Sequence, residues 1–192
     1  MTGRTHDLAA FTTLTYFIAT QPLIPMSLAT GFTALAASMV GGVAPDIDQP
    51  TGTLWRKFPT GGIFGKLAHP FLGRHRTISH SLFGLILFGF IFSKILNYAH
   101  TFLLVDTHIV WWAFILAYIS HLIMDTFTKE GVPWLFPIAI RFGFPPIKAW
   151  RITTGKLVES SFVFPVLLIT NAYLIYHHYG KFLEFIRHYV VK

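Results

Sequence analysis

The sequence predicts an all-α, polytopic integral membrane protein. About five transmembrane helices and one short re-entrant or interfacial segment form a single membrane-embedded domain over residues 1–192. Three observations carry that reading. No Asp, Glu, Lys or Arg occurs in the 38 residues from Leu8 to Pro45, whereas a bilayer span takes roughly 20 apolar residues and a soluble core helix fewer than about 14. Charged residues make up 12% of the chain, half the ~25% of a soluble domain. The basic residues fall in the gaps between apolar runs, where a membrane protein uses them to set its orientation. The 20 Phe, 5 Trp and 7 Tyr exclude a disordered chain, and the absence of Cys excludes a disulfide scaffold.

The uncharged stretch breaks at Gln21-Pro22 and Pro25, which predicts two spans, residues 8–24 and 26–43, joined by a tight turn. A Gly- and Pro-rich polar loop follows over about 45–81. The third span is 82–98, with Lys94 placed to snorkel at its far end. The fourth is 109–124 and the fifth 162–179. Between them, in a loop over about 125–161, residues 132–140 are apolar but too short to cross, and Pro133 and Pro137 interrupt them.

Five spans put the termini on opposite sides. The N-terminal side receives 11 basic residues, among them Arg76, Arg151 and Lys156; the other receives Lys181, Arg187 and Lys192. The positive-inside rule therefore predicts a cytoplasmic N-terminus and two cytoplasmic loops. Asp7 argues against a cleaved signal peptide, since it spoils the positive n-region. The net charge of +7 is dispersed, with no compact Lys/Arg run and no nucleic-acid module, so no nucleic-acid partner is expected.

Polar chemistry gathers at one depth. Of eight acidic residues, six (Asp7, Asp46, Asp48, Asp125, Glu130 and Glu159) fall at the cytoplasmic ends of spans or just outside them. His6, His75, His80 and His121 belong to the same layer. Carboxylate and imidazole in this mixture suit Zn²⁺ or a similar borderline cation. His121 and Asp125 share a helix face at i and i+4. Asp46 and Asp48 are two carboxylates one residue apart, which repel unless a cation or shared proton neutralises them. His75 and His80 flank a Ser/Thr cap region, with Arg74 and Arg76 beside them suited to an anion. The blander readings are a His–Asp helix cap, an Asx turn, and incidental cap histidines; for Glu159 the bland reading is a helix-dipole partner. His69, His100, His108, His177, His178 and His188 read as loop, interface or tail residues. Trp111-Trp112 and Tyr98 read as interface belt residues, and Gly41-Gly42 as a turn or close-packing site. No G-x-S-x-G and no Cys nucleophile is present.

Taken in order, Pro45-Asp46-Ile47-Asp48, His75-Arg76-x-x-Ser79-His80-Ser81, Ser120-His121-Leu122-x-x-Asp125, Gly131-Val-Pro-Trp-Leu-Phe-Pro137 and Gly155-x-x-x-Glu159 resemble the YdjM-like family of predicted membrane-bound metal-dependent hydrolases. His6 matches that family's N-terminal histidine. Where the family pattern has Asp-x-Asp-His-Pro, this chain has Gln49, and the glycine of His-Arg-Gly-x-Thr-His is Thr77. The motif order is also distantly similar to the zinc-dependent phospholipase C and single-strand nuclease group, without its second His-x-x-x-Glu/Asp pair. The resemblance implies a bacterial-type inner membrane location and a hydrolase.

On that reading one or two divalent ions, Zn²⁺ first and Mn²⁺ or Mg²⁺ as alternatives, are held by His6, Asp46, Asp48, His75, His80, His121 and Asp125. Asp48, Glu159, Arg76 and Lys156 are the expected catalytic groups, with Arg151 a further phosphate contact. Membrane lipids are the expected partners, and a phosphoester or other anionic amphiphile the expected substrate. The competing expectations are an ion or proton transporter, which the one-sided polar layer and lack of an inverted repeat disfavour, and a metal-stapled scaffold without catalysis.

Overall fold

A computed structural model describes residues 1–21, 26–49, 52, 55, 63, 76–138 and 140–190, with side chains through residue 184. These residues form helices α1 (Gly3–Thr20), α2 (Leu28–Gly41), α3 (Leu82–Ala99), α4 (Thr107–Thr126), α5 (Phe164–His177) and α6 (Tyr179–Val190). Short 3₁₀ turns occupy Ala44–Asp48 and Lys148–Trp150, and one π turn, Glu159–Val163, leads into α5. The described residues contain only two isolated β-bridges, so the chain is all-α. Leu82–Ala99, Thr107–Thr126 and Glu159–His177 are long and apolar enough to cross a membrane, while α2 is apolar but has 14 residues.

Several boundaries differ from the sequence reading. The first helix starts at Gly3, five residues before the uncharged run, because Thr5 and His6 are buried against other polar groups and need no water. Its end at Thr20 agrees with the expected break; residues 22–25 lie outside the described set. The second helix starts at Leu28, where Ser27 accepts a 3.0 Å hydrogen bond from the amide of Thr30. The chain is helical again from Tyr179, a helix whose charged residues hid it from an apolar count. Residues 132–138 form no helix: Val132 exchanges backbone hydrogen bonds of 2.8 and 2.9 Å with Phe142. Leu135, Ile138 and Ile140 in this loop are exposed.

Helix α4 is the centre of the bundle. Its apolar window is 44% buried, against 17% for α3 and 11% for the last span. It packs against α1, α2 and α3, and Phe114, Tyr118 and Leu122 supply the core. A Cβ on Gly41 would lie 2.3 Å from the carbonyl oxygen of Phe114, and one on Gly42 would lie 2.7 Å from Ala10 Cβ. Only glycines let the end of α2 press so close to α4 and α1. Helix α1 is pegged along α5 and α6 by polar contacts: Asn171 Nδ2 donates to Thr12 Oγ1 at 2.6 Å, and Lys181 Nζ to Ala19 O at 2.7 Å. In an apolar setting, where packing alone leaves axial slip cheap, such bonds fix register.

Candidate metal centre

Each cluster residue reaches the centre for a local reason. His121 and Asp125 stack one turn apart on α4, the least exposed helix. The two glycines that close α2 leave the Gly42 carbonyl 2.7 Å from His121 Nδ1. A carbonyl only accepts, so Nδ1 carries the proton and Nε2 is left with its lone pair aimed inward. Pro45 starts the 3₁₀ turn that carries Asp46 and Asp48 under α4. His80 directly precedes Ser81, the N-cap of α3, which accepts from the amide of Gly84 at 3.0 Å. Tyr118, wholly buried on α4, donates its hydroxyl to the carbonyl of Ser79 and so ties the His80 turn to the same helix. His6 comes from the first turns of α1, its ring stacked on His121 with centroids 3.6 Å apart.

The donors converge. His6 Nε2 lies 3.2 Å from Asp125 Oδ1, and His80 Nε2 lies 3.6 Å from Asp46 Oδ1 and 3.7 Å from Asp125 Oδ2. His121 Nε2 lies 3.8 Å from Asp46 Oδ1 and 3.7 Å from Asp125 Oδ2. Most of these separations are too long for hydrogen bonds. They suit ligands of one tetrahedral ion, which at bond lengths near 2.1 Å lie about 3.4 Å apart. His6, His121 and Asp125 form one candidate ligand triad, and Asp46, His80 and His121 another. Both ring nitrogens of His6, and Nε2 of His121, are buried without a hydrogen-bond partner among the described residues. Buried nitrogens are rarely left so. A cation would satisfy Nε2 of His121 or one of the His6 nitrogens, so the residues present fit a metal ion.

The charges agree. Burial, helped by His121 and the chain's amino terminus, pushes the His6 imidazole down to about 3, so it is neutral and its lone pair is free at neutral pH. Burial pulls Asp46 upward, but the imidazoles of His80 and His121 outweigh it and hold the carboxyl below its ordinary range. Burial pulls His80 downward, but the carboxylates of Asp46 and Asp48 outweigh it and the imidazole stays above its ordinary value. Asp125 balances charge from two further sides: it pairs with Arg76 Nη2 at 2.6 Å and with the α-amino group of Met1.

The expected residues thus divide. His6, Asp46, His80, His121 and Asp125 meet. Asp48 sits behind His80, 3.7 Å from its Nδ1, and accepts from the amide of Arg76 and the hydroxyl of Ser79, both at 2.8 Å. His75, like His69, lies outside the described residues. Arg76 is buried at a φ of 60°, a backbone conformation most side chains avoid. Its guanidinium is committed to Asp125, Thr128 Oγ1 at 3.0 Å, Gly131 O at 3.3 Å and Glu130 at 3.2 Å. Glu159 does not face the cluster: its carboxylate accepts from Thr2, Thr5 and Gly155. Arg151 donates to the carbonyls of Pro145 and Pro146 at 2.7 and 3.1 Å. Lys156 is exposed on a hollow of about 280 Å³, lined also by Lys129, Trp150, Arg151, Leu157 and Val158.

Sequence reasoning missed the Gly42 carbonyl, Thr2, Thr5, Tyr118 and Thr128. The Gly-Gly pair and the Thr-x-x-Thr-His run beside His6 were the available signals.

Residues 1–182 match the family model described as YdjM inner membrane protein. An uncharacterized protein of Bacillus subtilis (strain 168), YvsG, is 30% identical over 179 residues, which cover 92% of this chain and 95% of the relative. No solved structure matches.

Proposed function

The chain belongs to the YdjM inner membrane protein family, and from that premise we propose that it is a metal-dependent hydrolase acting at the cytoplasmic face of the membrane on a phosphoester or other anionic amphiphile. One observation supports this above the others: imidazoles and carboxylates of five residues approach in five pairs at 3.2–3.8 Å and form two triads that share His121. His6, Asp46, His80, His121 and Asp125 are the candidate ligands, of which either triad, His6, His121 and Asp125 or Asp46, His80 and His121, would hold the ion and leave a position for water. The two candidate triads share His121, whose Nδ1 is taken by Gly42; its one remaining lone pair serves one ion, not two. A bound divalent cation would acidify a water and polarise the scissile oxygen, with Zn²⁺ favoured by the nitrogen-rich set.

Asp46 marks the open side. Its side chain is 14% exposed, while those of His6, His80, His121 and Asp125 are 1% or less. Arg76 neutralises and orients Asp125 in this reading rather than meeting substrate. Asp48 orients His80. A polar chain from Asp125 through Arg76 to Glu130 ends beside Lys129, at the hollow where Lys129 and Lys156 would draw a headgroup phosphate.

The near-complete burial of four donors favours a second reading, a metal staple that holds the bundle without catalysis. Metal analysis of the purified protein beside His121→Ala, with hydrolysis assayed on phosphoester and lipid panels, separates the two. The enzyme reading expects one ion per chain, lost in the variant, and an activity abolished by chelation and restored by Zn²⁺, Mn²⁺ or Mg²⁺. One tightly held ion with no chelator-sensitive hydrolysis supports the staple. No ion at all sinks both.

A further inference from the structure

We infer that Glu159 is a positioning residue of the metal centre, a latch that sets His6 in the ligand set without touching the ion itself. Glu159 is 2% exposed and accepts four hydrogen bonds. Its Oε1 takes the amide of Thr2 at 2.6 Å, the hydroxyl of Thr2 at 2.8 Å and the hydroxyl of Thr5 at 2.6 Å. Its Oε2 takes the amide of Gly155 at 2.7 Å, and the φ of 72° at Gly155 is one that glycine adopts without strain. Three of the four donors therefore belong to the start of α1, 154 to 157 residues away.

The chemistry of α1 makes such a latch necessary. Thr2, its N-cap, caps no helix amide with its side chain, so Glu159 supplies an anion where the helix dipole favours one. His6 follows Thr5 directly, and among the described residues neither of its ring nitrogens makes a well-directed hydrogen bond to hold it. His121 is oriented by Gly42, and His80 by Asp48 and Ser79. His6 has no fixed backbone or hydroxyl partner of that kind, only the 3.2 Å approach of Asp125 and the stack on His121, both on α4, so its position depends on where α1 is fixed along α5. Glu159 does that at the site end, as Asn171 does through Thr12 further along. The π turn that opens at Glu159 carries its carboxylate at the start of the last span, and π turns recur where a side chain has a task beyond packing.

The proposal rests on the metal reading only for its spectroscopic arm. In the first arm, the detergent-purified protein is loaded with Co²⁺ and its visible absorption and affinity are recorded for wild type, Glu159→Ala, Glu159→Gln, Thr5→Val and His6→Ala. Glu159→Ala should lose at least tenfold in Co²⁺ affinity and take on the spectrum of His6→Ala. The double variant should be no worse than either single one, because both remove the same ligand. Glu159→Gln should stay near wild type, since its Oε1 keeps the three bonds to Thr2 and Thr5 and loses only Gly155. Thr5→Val should fall between.

The second arm needs no metal. Carbethoxylation of histidines by diethyl pyrocarbonate, mapped by mass spectrometry, should rise at least tenfold at His6 in Glu159→Ala while His80 and His121 stay protected; Thr5→Val should show a smaller rise. Protection of His6 equal to wild type in both variants overturns the latch. Equal exposure of all three histidines also overturns it, since Glu159 would then support the fold at large. Failure of wild type to bind Co²⁺, with selective exposure of His6, leaves the latch standing and removes the metal reading.

Discussion

The Asp125 end of α4 and the outer faces of its flanking helices follow different rules. At Asp125 buried imidazoles and carboxylates converge, backbones approach until only glycine fits, and charges of both signs meet within 4 Å. On the flanks, α3 and the last span present Ile86, Phe90, Ile95, Ile169 and Tyr176 outward, uncovered by the described residues. The comparison teaches that stability and function share one end of the bundle. Substitutions should therefore grade steeply from that end to the apolar flanks.

Asp125→Asn should have the largest effect. The sequence alone suggests that an isosteric amide would remove metal and leave the fold intact. The structure predicts more, because Asp125 also answers Arg76, the Met1 amine and His6. Breaking a buried pair while keeping one charge costs about 3–5 kcal/mol. Metal content should fall to background, and thermal unfolding in detergent should shift by that amount. A variant that loses metal with wild-type stability would mean that the pairing with Arg76 contributes little.

Gly41→Ala comes next. Its Cβ would meet backbone, the Phe114 carbonyl, so α2 and α4 must part. Overpacking of this kind costs typically 1–3 kcal/mol, and the upper part of that range is expected because no side chain can rotate away. The same shift draws Gly42 off His121, so metal affinity should fall with stability. A drop in stability alone would show that His121 keeps its orientation without the carbonyl.

Asp48→Asn tests a residue whose role the sequence left open. Two carboxylates one residue apart read alike in sequence, yet Asp46 faces the Nε2 side of His80 and Asp48 the Nδ1 side. Loss of an outer partner of a metal-ligating histidine costs about 10–100-fold in affinity. Competition with a calibrated chelator measures it. A loss as large as that for Asp125→Asn would make Asp48 a direct ligand.

What was legible followed sequence distance. The membrane character, the i,i+4 pair on α4 and the convergence of Asp46, His80 and His121 could be read because local spacing and span ends dictate them. The contacts of Glu159 could not, since its partners Thr2 and Thr5 lie at the far end of the chain and threonines near an apolar run look like ordinary helix residues. Arg76 and Arg151 looked like anion contacts, because a sequence shows a cation but not the carbonyls and carboxylates that already occupy it. Helix α6 escaped because its apolar residues are interrupted by charge.

Ile86→Ala should have the smallest effect and bounds the comparison from the other side. Ile86 is 72% exposed on α3, so removing its side chain opens no cavity; an acyl chain fills the space that packed protein would leave empty. Stability should change by no more than about 0.5 kcal/mol, as for other exposed positions. Leu122→Ala, wholly buried beside the centre on α4, should lose about 2–5 kcal/mol. Both are read from the same thermal unfolding series in one detergent. If Ile86→Ala costs more than about 1.5 kcal/mol, the outer face of α3 is covered by protein rather than lipid. The contrast would then have to be redrawn around an assembly of chains instead of a single bundle.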